Sequence, residues 1–523
     1  MRWRLPAAAA AVLVLGVAVA VVLTIGGGGS GTADPTTKTK PAAPPKIPPG
    51  ALIARISNHA VGRPVPSGFV GFSFEFQAVR DYTGDDPAAI NPVLVQLIRN
   101  LNPGQAPVLR IGGDSTDLSY PSDSPPPPYQ GYELTPSWMA TTGALAHTLG
   151  ARMILGLNLA ADDPQLAAAE TRDYLSAFHR SAIDALEIGN EPNVYGNVTA
   201  FQTASGAKLK ARPAGYGFSE FEPQFGALAR TTGTMPLAGP ALAAGPSTGK
   251  GSWIRAMPGF LSTYQRVRIM TVHRYPLRNC FVPPSSPQYP TVAHLLSSYA
   301  TSGLAHSVKP WVHVAHAQHR QLRLDELNSV ACRGKKGVSD TFASSLWVVN
   351  ALFQLARLGV DGVNMHTLPR SSYELFEFSH AGGRWRAWVR PVYYGLQLFT
   401  QAAPAGARLL QSSGIKPRTQ ISVWATRGSD RRLRVALINE SRSTSHTVVL
   451  KVPRTTPATA TVERMAAPSV YARRGVSLGG RTYGAATYTG ALTPPQTQPV
   501  AGGAGTYVLK LPRGSAALVT FGS

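Results

Sequence analysis

Short apolar runs alternate with longer amphipathic stretches through most of the chain, the pattern of strands followed by helices. The runs are Val70–Phe76, Val108–Ile111, Met153–Leu159, Ala185–Gly189, Leu237–Ala241, Ile269–His273, Leu322–Glu326 and Val360–Met365. Between them, Pro92–Leu101, Ser137–Leu149, Pro164–Ala177 and Thr341–Leu358 read as amphipathic helices. Ser339 or Asp340 stands where it can cap the last of these. Eight strands alternating with helices predict an α/β fold, a (β/α)8 TIM barrel over residues 67–400.

After residue 400 the texture changes. Gln420–Ala425, Leu433–Ile438, His446–Val452, Ala460–Arg464 and Thr506–Leu511 are short strand patterns with turns between them, and no good helix pattern accompanies them. Residues 401–523 therefore read as an all-β sandwich domain. Ala51–Ile56 is an early strand whose partner lies far along the chain, so residues 51–66 are expected to join the β domain and the barrel to be inserted in it. At the front, Arg2 and Arg4 precede an apolar run from Ala7 to Ile25, which predicts a signal peptide or a retained transmembrane anchor over residues 1–33. Residues 34–50 are rich in Pro, Thr and Lys and read as an extended linker. The expected location is secreted, or extracellular and membrane-anchored.

Composition narrows the partners. The 523 residues carry 50 Lys+Arg against 27 Asp+Glu, a formal charge of +23, which suits acidic polysaccharide, envelope polymers or nucleic acid. No run of five basic residues and no nucleic-acid motif accompanies the charge, so a nucleic-acid partner is not expected. The two cysteines, Cys280 and Cys332, suit one disulfide in an exported protein. His313, His316 and His319 mimic ligand spacing, but no carboxylates stand in register with them, so no metal and no cofactor are expected.

The chemistry-bearing residues sit at the ends of the apolar runs. The stretch Asp184–Asn193 ends its strand at Gly189 and leaves Asn190 and Glu191 at the C-terminal rim. Pro192 biases Glu191 away from helical geometry. Leu322–Asn328 is a second strand that ends in a carboxylate, Glu326. Two carboxyl groups about 5 Å apart across a sugar act as acid/base and nucleophile in a retaining glycosidase, and about 6.5–9.5 Å apart they invert. Tyr275 ends the sixth strand beside the seventh, where it can bond Glu326 and hold it ionised, and His273 reads as a structural rim residue. Glu75 and Asp114 end the first two strands, placed either to bind sugar hydroxyls or to pair with arginines such as Arg110.

These motifs resemble glycoside hydrolase family 79, the β-glucuronidase and heparanase family. Glu187-Ile-Gly-Asn-Glu-Pro-Asn193 is similar to its acid/base motif, and Ser339-Asp-Thr-Phe-Ala343 to the segment after its nucleophile. Leu109–Asp117 is similar to its second-strand rim, and Pro391-Val-Tyr-Tyr394 to a stretch whose tyrosine contacts the substrate carboxylate. The resemblance implies Glu191 as acid/base, Glu326 as nucleophile, and Asn190, Glu75 and Asp114 on the glycone. It also implies that Tyr393 and backbone N–H groups after the nucleophile hold a uronate carboxylate. That loop is glycine-rich in heparanase-like members; here Ala331-Cys332-Arg333-Gly334 occupies it, with Arg333 a further candidate for the carboxylate. Cys332 lies just beyond the seventh strand and Cys280 just beyond the sixth, so a disulfide between them is expected to tie down both loops. The function so implied is a retaining exo-β-glucuronidase acting on an anionic glycan. Its alternatives are a β-glucosidase, xylosidase or arabinofuranosidase on the same barrel, or a non-catalytic carbohydrate-binding protein of the envelope.

Overall fold

A computed structural model describes residues 45–244 and 252–522. The export signal expected over residues 1–33 and most of the expected linker lie outside them. No helix among the described residues is long and apolar enough to cross a membrane.

The chain enters through β1, Leu52–Val61, and then winds a barrel. Its strands are β2 (Val70–Glu75), β3 (Val108–Gly112), β4 (Arg152–Leu157), β5 (Ile183–Ile188), β6 (Leu237–Ala243), β7 (Val267–Arg274), β8 (Gln321–Leu327) and β9 (Gly362–Thr367). All eight run parallel, and β9 closes on β2 with Val363 opposite Val70. The strands are apolar because they are buried on both faces, by the barrel interior inside and by helices outside. In β6 the register slips between Gly239 and Leu242, where Pro240 has no N–H to give the ladder. That irregularity is why this run is the least strand-like of the eight in sequence.

The long helix α1, Phe342–Leu358, follows β8 and is buried along nearly its whole length. Gly359, in the left-handed region at φ 89, ends it. The sequence expectation for its start needs correcting. Thr341, not Ser339 or Asp340, is the N-cap residue, and no side chain caps it. Asp340 instead accepts from the Gly337 N–H at 2.6 Å and pairs with Arg473.

The β domain contains β10 (Arg408–Ser413), β11 (Ile421–Arg427), β12 (Leu433–Asn439), β13 (His446–Lys451), β14 (Ala460–Ala466), β15 (Thr506–Leu511) and β16 (Ser515–Phe521). One hydrogen-bonded path runs β14-β16-β12-β11-β10-β1-β13-β15, and short strands at its ends bring the sheet to eleven. β1 therefore lies in the interior of the sheet, antiparallel to β10 and parallel to β13. The path folds over on itself as a sandwich does. Alanine, valine and leucine side chains from β1, β10, β13, β15 and β16 share one core. Tyr507 of β15 meets Phe521 of β16 edge-on at 4.9 Å, although the two strands stand far apart along the path.

Trp424 of β11 joins the two halves. It stacks on Phe353 of α1 at 5.3 Å, and its indole N–H donates to Asn350 Oδ1 at 3.1 Å. The Asn350 amide in turn donates to Glu440 Oε1 at 3.0 Å. Barrel and β domain thus share a continuous apolar core with a buried polar relay through it.

Candidate active site

Glu191 follows β5 and Glu326 is the sixth residue of β8, so both carboxylates stand at the C-terminal rim of the barrel. Gly189 makes the exit from β5 possible. Its φ is 80, and a Cβ there would come within 2.8 Å of Leu159. Glu191 itself holds a left-handed backbone at φ 52 and ψ 47, an uncommon state for a residue with a side chain. Its N–H donates to the Ala241 carbonyl at 2.8 Å, which locks that conformation to the neighbouring strand.

One imidazole lies between the two carboxylates. His273 Nδ1 is 3.0 Å from Glu191 Oε1 and 3.6 Å from Glu326 Oε2, while Nε2 is 3.5 Å from Asp325 Oδ2. Burial alone would lower the pKa of the ring, but the charges of Glu326 and Asp325 outweigh it and raise the pKa well above the ordinary histidine value. His273 lies against both carboxylates, and their charges favour its protonated form, a larger part than the rim role its sequence position suggests.

Glu326 receives more support. The Tyr275 hydroxyl donates to Oε1 at 2.6 Å, and Arg110 Nη1 donates to Oε2 at 3.2 Å. Burial pushes its pKa up, yet His366, His273, Arg110 and the tyrosine hydrogen bond bring it down to about 2. Arg110 is fully enclosed. It also donates to Glu187 Oε2 at 2.8 Å and to Asn190 Oδ1 at 2.9 Å. It does not pair with Glu75 or Asp114, as one reading of the sequence has it; its side chain instead reaches Glu187, Glu326 and Asn190. Glu187 and Asp325 share this interior. Burial and the neighbouring Asp325 raise Glu187 to about 8, while His273 and Arg110 hold Asp325 ionised despite its burial.

The second-strand rim lies against this cluster. The Asn190 amide donates to Asp114 Oδ1 at 3.2 Å, so Asn190 links Arg110 to Asp114. Asp114 reaches solvent, yet the surrounding protein and the charges of Glu75, Glu326 and Glu191 raise its pKa well above the usual value. Glu75 is almost wholly committed inward: it accepts from the Asp114 N–H at 3.1 Å and the Ser115 N–H at 2.8 Å.

Two loops meet on the far side of Glu326. Cys332 is disulfide-bonded to Cys280, with Cα atoms 6.1 Å apart, so its sulfur is engaged. Cys332, Arg333 and Gly334 form a consecutive left-handed run at φ 62, 66 and 77. A Cβ on Gly334 would come within 2.8 Å of the Tyr373 nitrogen. The Ser372 N–H donates to the Arg333 carbonyl at 2.9 Å. These contacts bring Tyr373, from the loop after β9, next to Tyr275 and His366 at ring distances of 6.2 and 5.7 Å. Tyr393, expected at the substrate carboxylate, is elsewhere. It is fully buried on the helix after that loop, donates to the Leu97 carbonyl at 2.7 Å and packs edge-on against Tyr483. Tyr373, not Tyr393, is the tyrosine that stands beside Tyr275 and His366. Arg110, Glu187, Asp325 and His366 were also missed as members of the site, although inward polar residues on barrel strands are the signal that could have found them.

Residues 423–518 match the glycosyl hydrolase family 79 C-terminal beta domain. A β-glucuronidase of Neurospora crassa is 24% identical over 349 residues, which cover 60% of this chain and 60% of that protein. The chain thus matches less than two thirds of the length of this curated relative. A 4-O-α-L-rhamnosyl-β-D-glucuronidase from Fusarium oxysporum 12S, solved as a Rha-GlcA complex, has a TM-score of 0.68 at 20% identity and covers 89% of this chain and 100% of its own. A GH51 arabinofuranosidase from Xanthomonas axonopodis pv. citri has a TM-score of 0.63 at 12% identity and covers 90% of this chain and 100% of its own. The two structural likenesses establish the fold. The chain is thus similar to glycoside hydrolase family 79 in its C-terminal β domain and, over 60% of its length, to a β-glucuronidase.

Proposed function

We propose that the chain is a retaining exo-β-glucuronidase-like glycoside hydrolase acting on uronic-acid-bearing glycans by double displacement. The observation that carries this reading is the pair Glu191 and Glu326 at one rim with His273 Nδ1 touching both. A single ring nitrogen reaches two carboxylates only when they stand close together, which favours the shorter separation of a retaining pair over the longer one of an inverting pair. Glu326 attacks the anomeric carbon as Glu191 protonates the departing oxygen, and a glycosyl ester forms. Glu191 then takes a proton from water, which attacks the same carbon and releases Glu326. Tyr275 and Arg110 keep Glu326 ionised and oriented for the first step.

The uronate carboxylate would face the two loops beyond Glu326. Among the described residues the N–H groups of Arg333 and Gly334 donate to no acceptor, and Arg333 brings a guanidinium. Tyr373 adds a hydroxyl. Export from the cytoplasm belongs to the same proposal; the Cys280–Cys332 disulfide and the basic-then-apolar start of the chain support it.

Two measurements test the reading. Nitrophenyl β-D-glucuronide should be turned over faster than the corresponding glucoside, xyloside and arabinofuranoside; preference for a neutral glycone rejects the uronate assignment. Glu326→Ala should lower turnover by at least about a thousandfold, with azide partly restoring it and yielding the inverted glycosyl azide. Undiminished activity in that variant rejects the mechanism.

A further inference from the structure

A cavity of about 750 Å3 opens at the other end of the barrel. Most of its lining comes from the beginnings of strands. Arg152 opens β4, Asp184 is second in β5, Arg268 is second in β7, Arg320 precedes β8 and Asp361 precedes β9. The volume falls within the roughly 300–1,000 Å3 of ligand sites. In this fold the N-terminal face ordinarily serves stability rather than chemistry. A concentration of guanidinium groups there needs a reason of its own.

The ion pairs in the cavity leave cations over. Asp361 accepts from Arg63 at 3.0 Å and from His316 at 2.8 Å, and Asp184 faces Arg152 at 3.4 Å. Among the described residues Arg268 and Arg320 form no ion pair, and the buried Nε of Arg320 has no hydrogen-bond partner. Arg323, third residue of β8, adds to the excess. It is enclosed in the barrel, has no carboxylate partner among the described residues, and donates to Asn364 and to the Gly68 carbonyl. Burial and the charge of Arg152 lower its pKa to about 10. The unpartnered buried Nε of Arg320 and the enclosed charge of Arg323 both cost stability until an anion arrives, and exposed Arg268 adds an unpaired charge at the mouth.

We propose that this cavity is a second, non-catalytic site for an acidic glycan. Arg268 and Arg320 take its carboxylate or sulfate groups in the planar two-point geometry of guanidinium. Asp184, still partly open to solvent, accepts from sugar hydroxyls. The two aspartates separate this ligand from a bare phosphate cluster, which would meet their repulsion without any hydroxyl to offer them. Occupancy would hold the polymer at the far end of the molecule from Glu191 and Glu326. The site stands on its own geometry and does not depend on the hydrolase reading.

The test is calorimetric titration of the full chain with an α-linked galacturonate hexamer, with maltohexaose and inorganic triphosphate as comparisons. The expected result is binding of the galacturonate hexamer that weakens with salt, at least tenfold weaker binding of maltohexaose, and weaker binding of triphosphate. Arg268→Glu, at an exposed position, should weaken hexamer binding at least tenfold and leave turnover of nitrophenyl β-D-glucuronide unchanged. Arg320→Gln should also weaken it; if that variant does not fold, Arg268→Glu decides alone. Equal hexamer affinity in wild type and Arg268→Glu overturns the proposal, as does equal affinity for maltohexaose. Tighter binding of triphosphate overturns it in favour of a phosphate site. Hexamer binding lost on Arg268→Glu in a protein that hydrolyses no glucuronide supports the cavity and counts only against the hydrolase reading.

Discussion

Tyr373 and Tyr393 separate two kinds of aromatic residue that look alike in sequence. Tyr373 packs near Tyr275 and His366, and burial with the charges of Glu326, Glu75 and Asp114 raises its pKa well above the usual value. Tyr373→Phe should therefore raise KM for a nitrophenyl glucuronide by about tenfold, the worth of one lost hydrogen bond to a charged group, and leave KM for a neutral glycoside alone. Tyr393→Phe should leave both KM values unchanged and cost about 1 kcal/mol in stability, read by denaturant titration, because only its bond to the Leu97 carbonyl is lost. The motif was legible, but the tyrosine that lies beside Tyr275 and His366 was not. Spacing cannot say that the loop after β9 folds back against Gly334, a contact that exists only because Gly334 has no Cβ. Arg110 was hidden for a related reason: its partners Glu187, Asn190 and Glu326 lie on other strands and converge only when the barrel closes. Arg110→Met should cost about 3–5 kcal/mol, since it leaves buried acidic partners uncompensated.

At the scale of elements, the sequence announced the strands but not their neighbours. Each barrel run was visible because burial on both faces demands an unbroken apolar stretch. β1 was visible as a strand and also as a stranger to the barrel that the chain winds next. Its partners, Ser413 and Val448, lie at the other end of the chain. Removing residues 1–50 should leave the thermal unfolding midpoint of the folded protein unchanged. Removing residues 1–62 should abolish cooperative unfolding by calorimetry, because an interior strand of the sheet is gone and both neighbours expose unpaired edges. The N-terminus of α1 shows the opposite limit. Ser339 and Asp340 are good caps by residue type, but Asp340 is drawn away by Arg473 of the β domain, a long-range partner no local pattern contains.

For the whole molecule, buried carboxyl groups set the response to pH. Burial raises Glu170, Glu187 and Glu440 to about 8 and Asp117 to about 7. A carboxyl whose folded pKa lies above its unfolded value favours the fold while both forms are protonated, and loses that contribution as pH rises through the folded pKa. Stability should accordingly fall from about pH 5, where the unfolded carboxyls are ionising, to about pH 8, and level off above it, with a drop in the thermal midpoint of at least about 5 °C. Glu440→Gln, which keeps the shape without the ionisable group, should flatten part of that slope; an unchanged slope would show that Glu440 does not titrate in this range. Glu326 runs the other way. Its pKa of about 2 lies below the ordinary value, so its contribution is present at neutral pH and fades only in strong acid. None of these shifts could be read from composition, because they follow from enclosure rather than residue type.

The place of β1 between β10 and β13 also imposes a timetable on synthesis. The barrel can wind up as the ribosome delivers it, yet β1 must wait, unmatched, until β10 and β13 have followed the whole barrel out. A nascent chain of this protein therefore carries a sticky leading ribbon through most of translation. An unpaired strand edge is a template for pairing with other chains, so the yield of folded product should fall as the time before β10 and β13 arrive is lengthened.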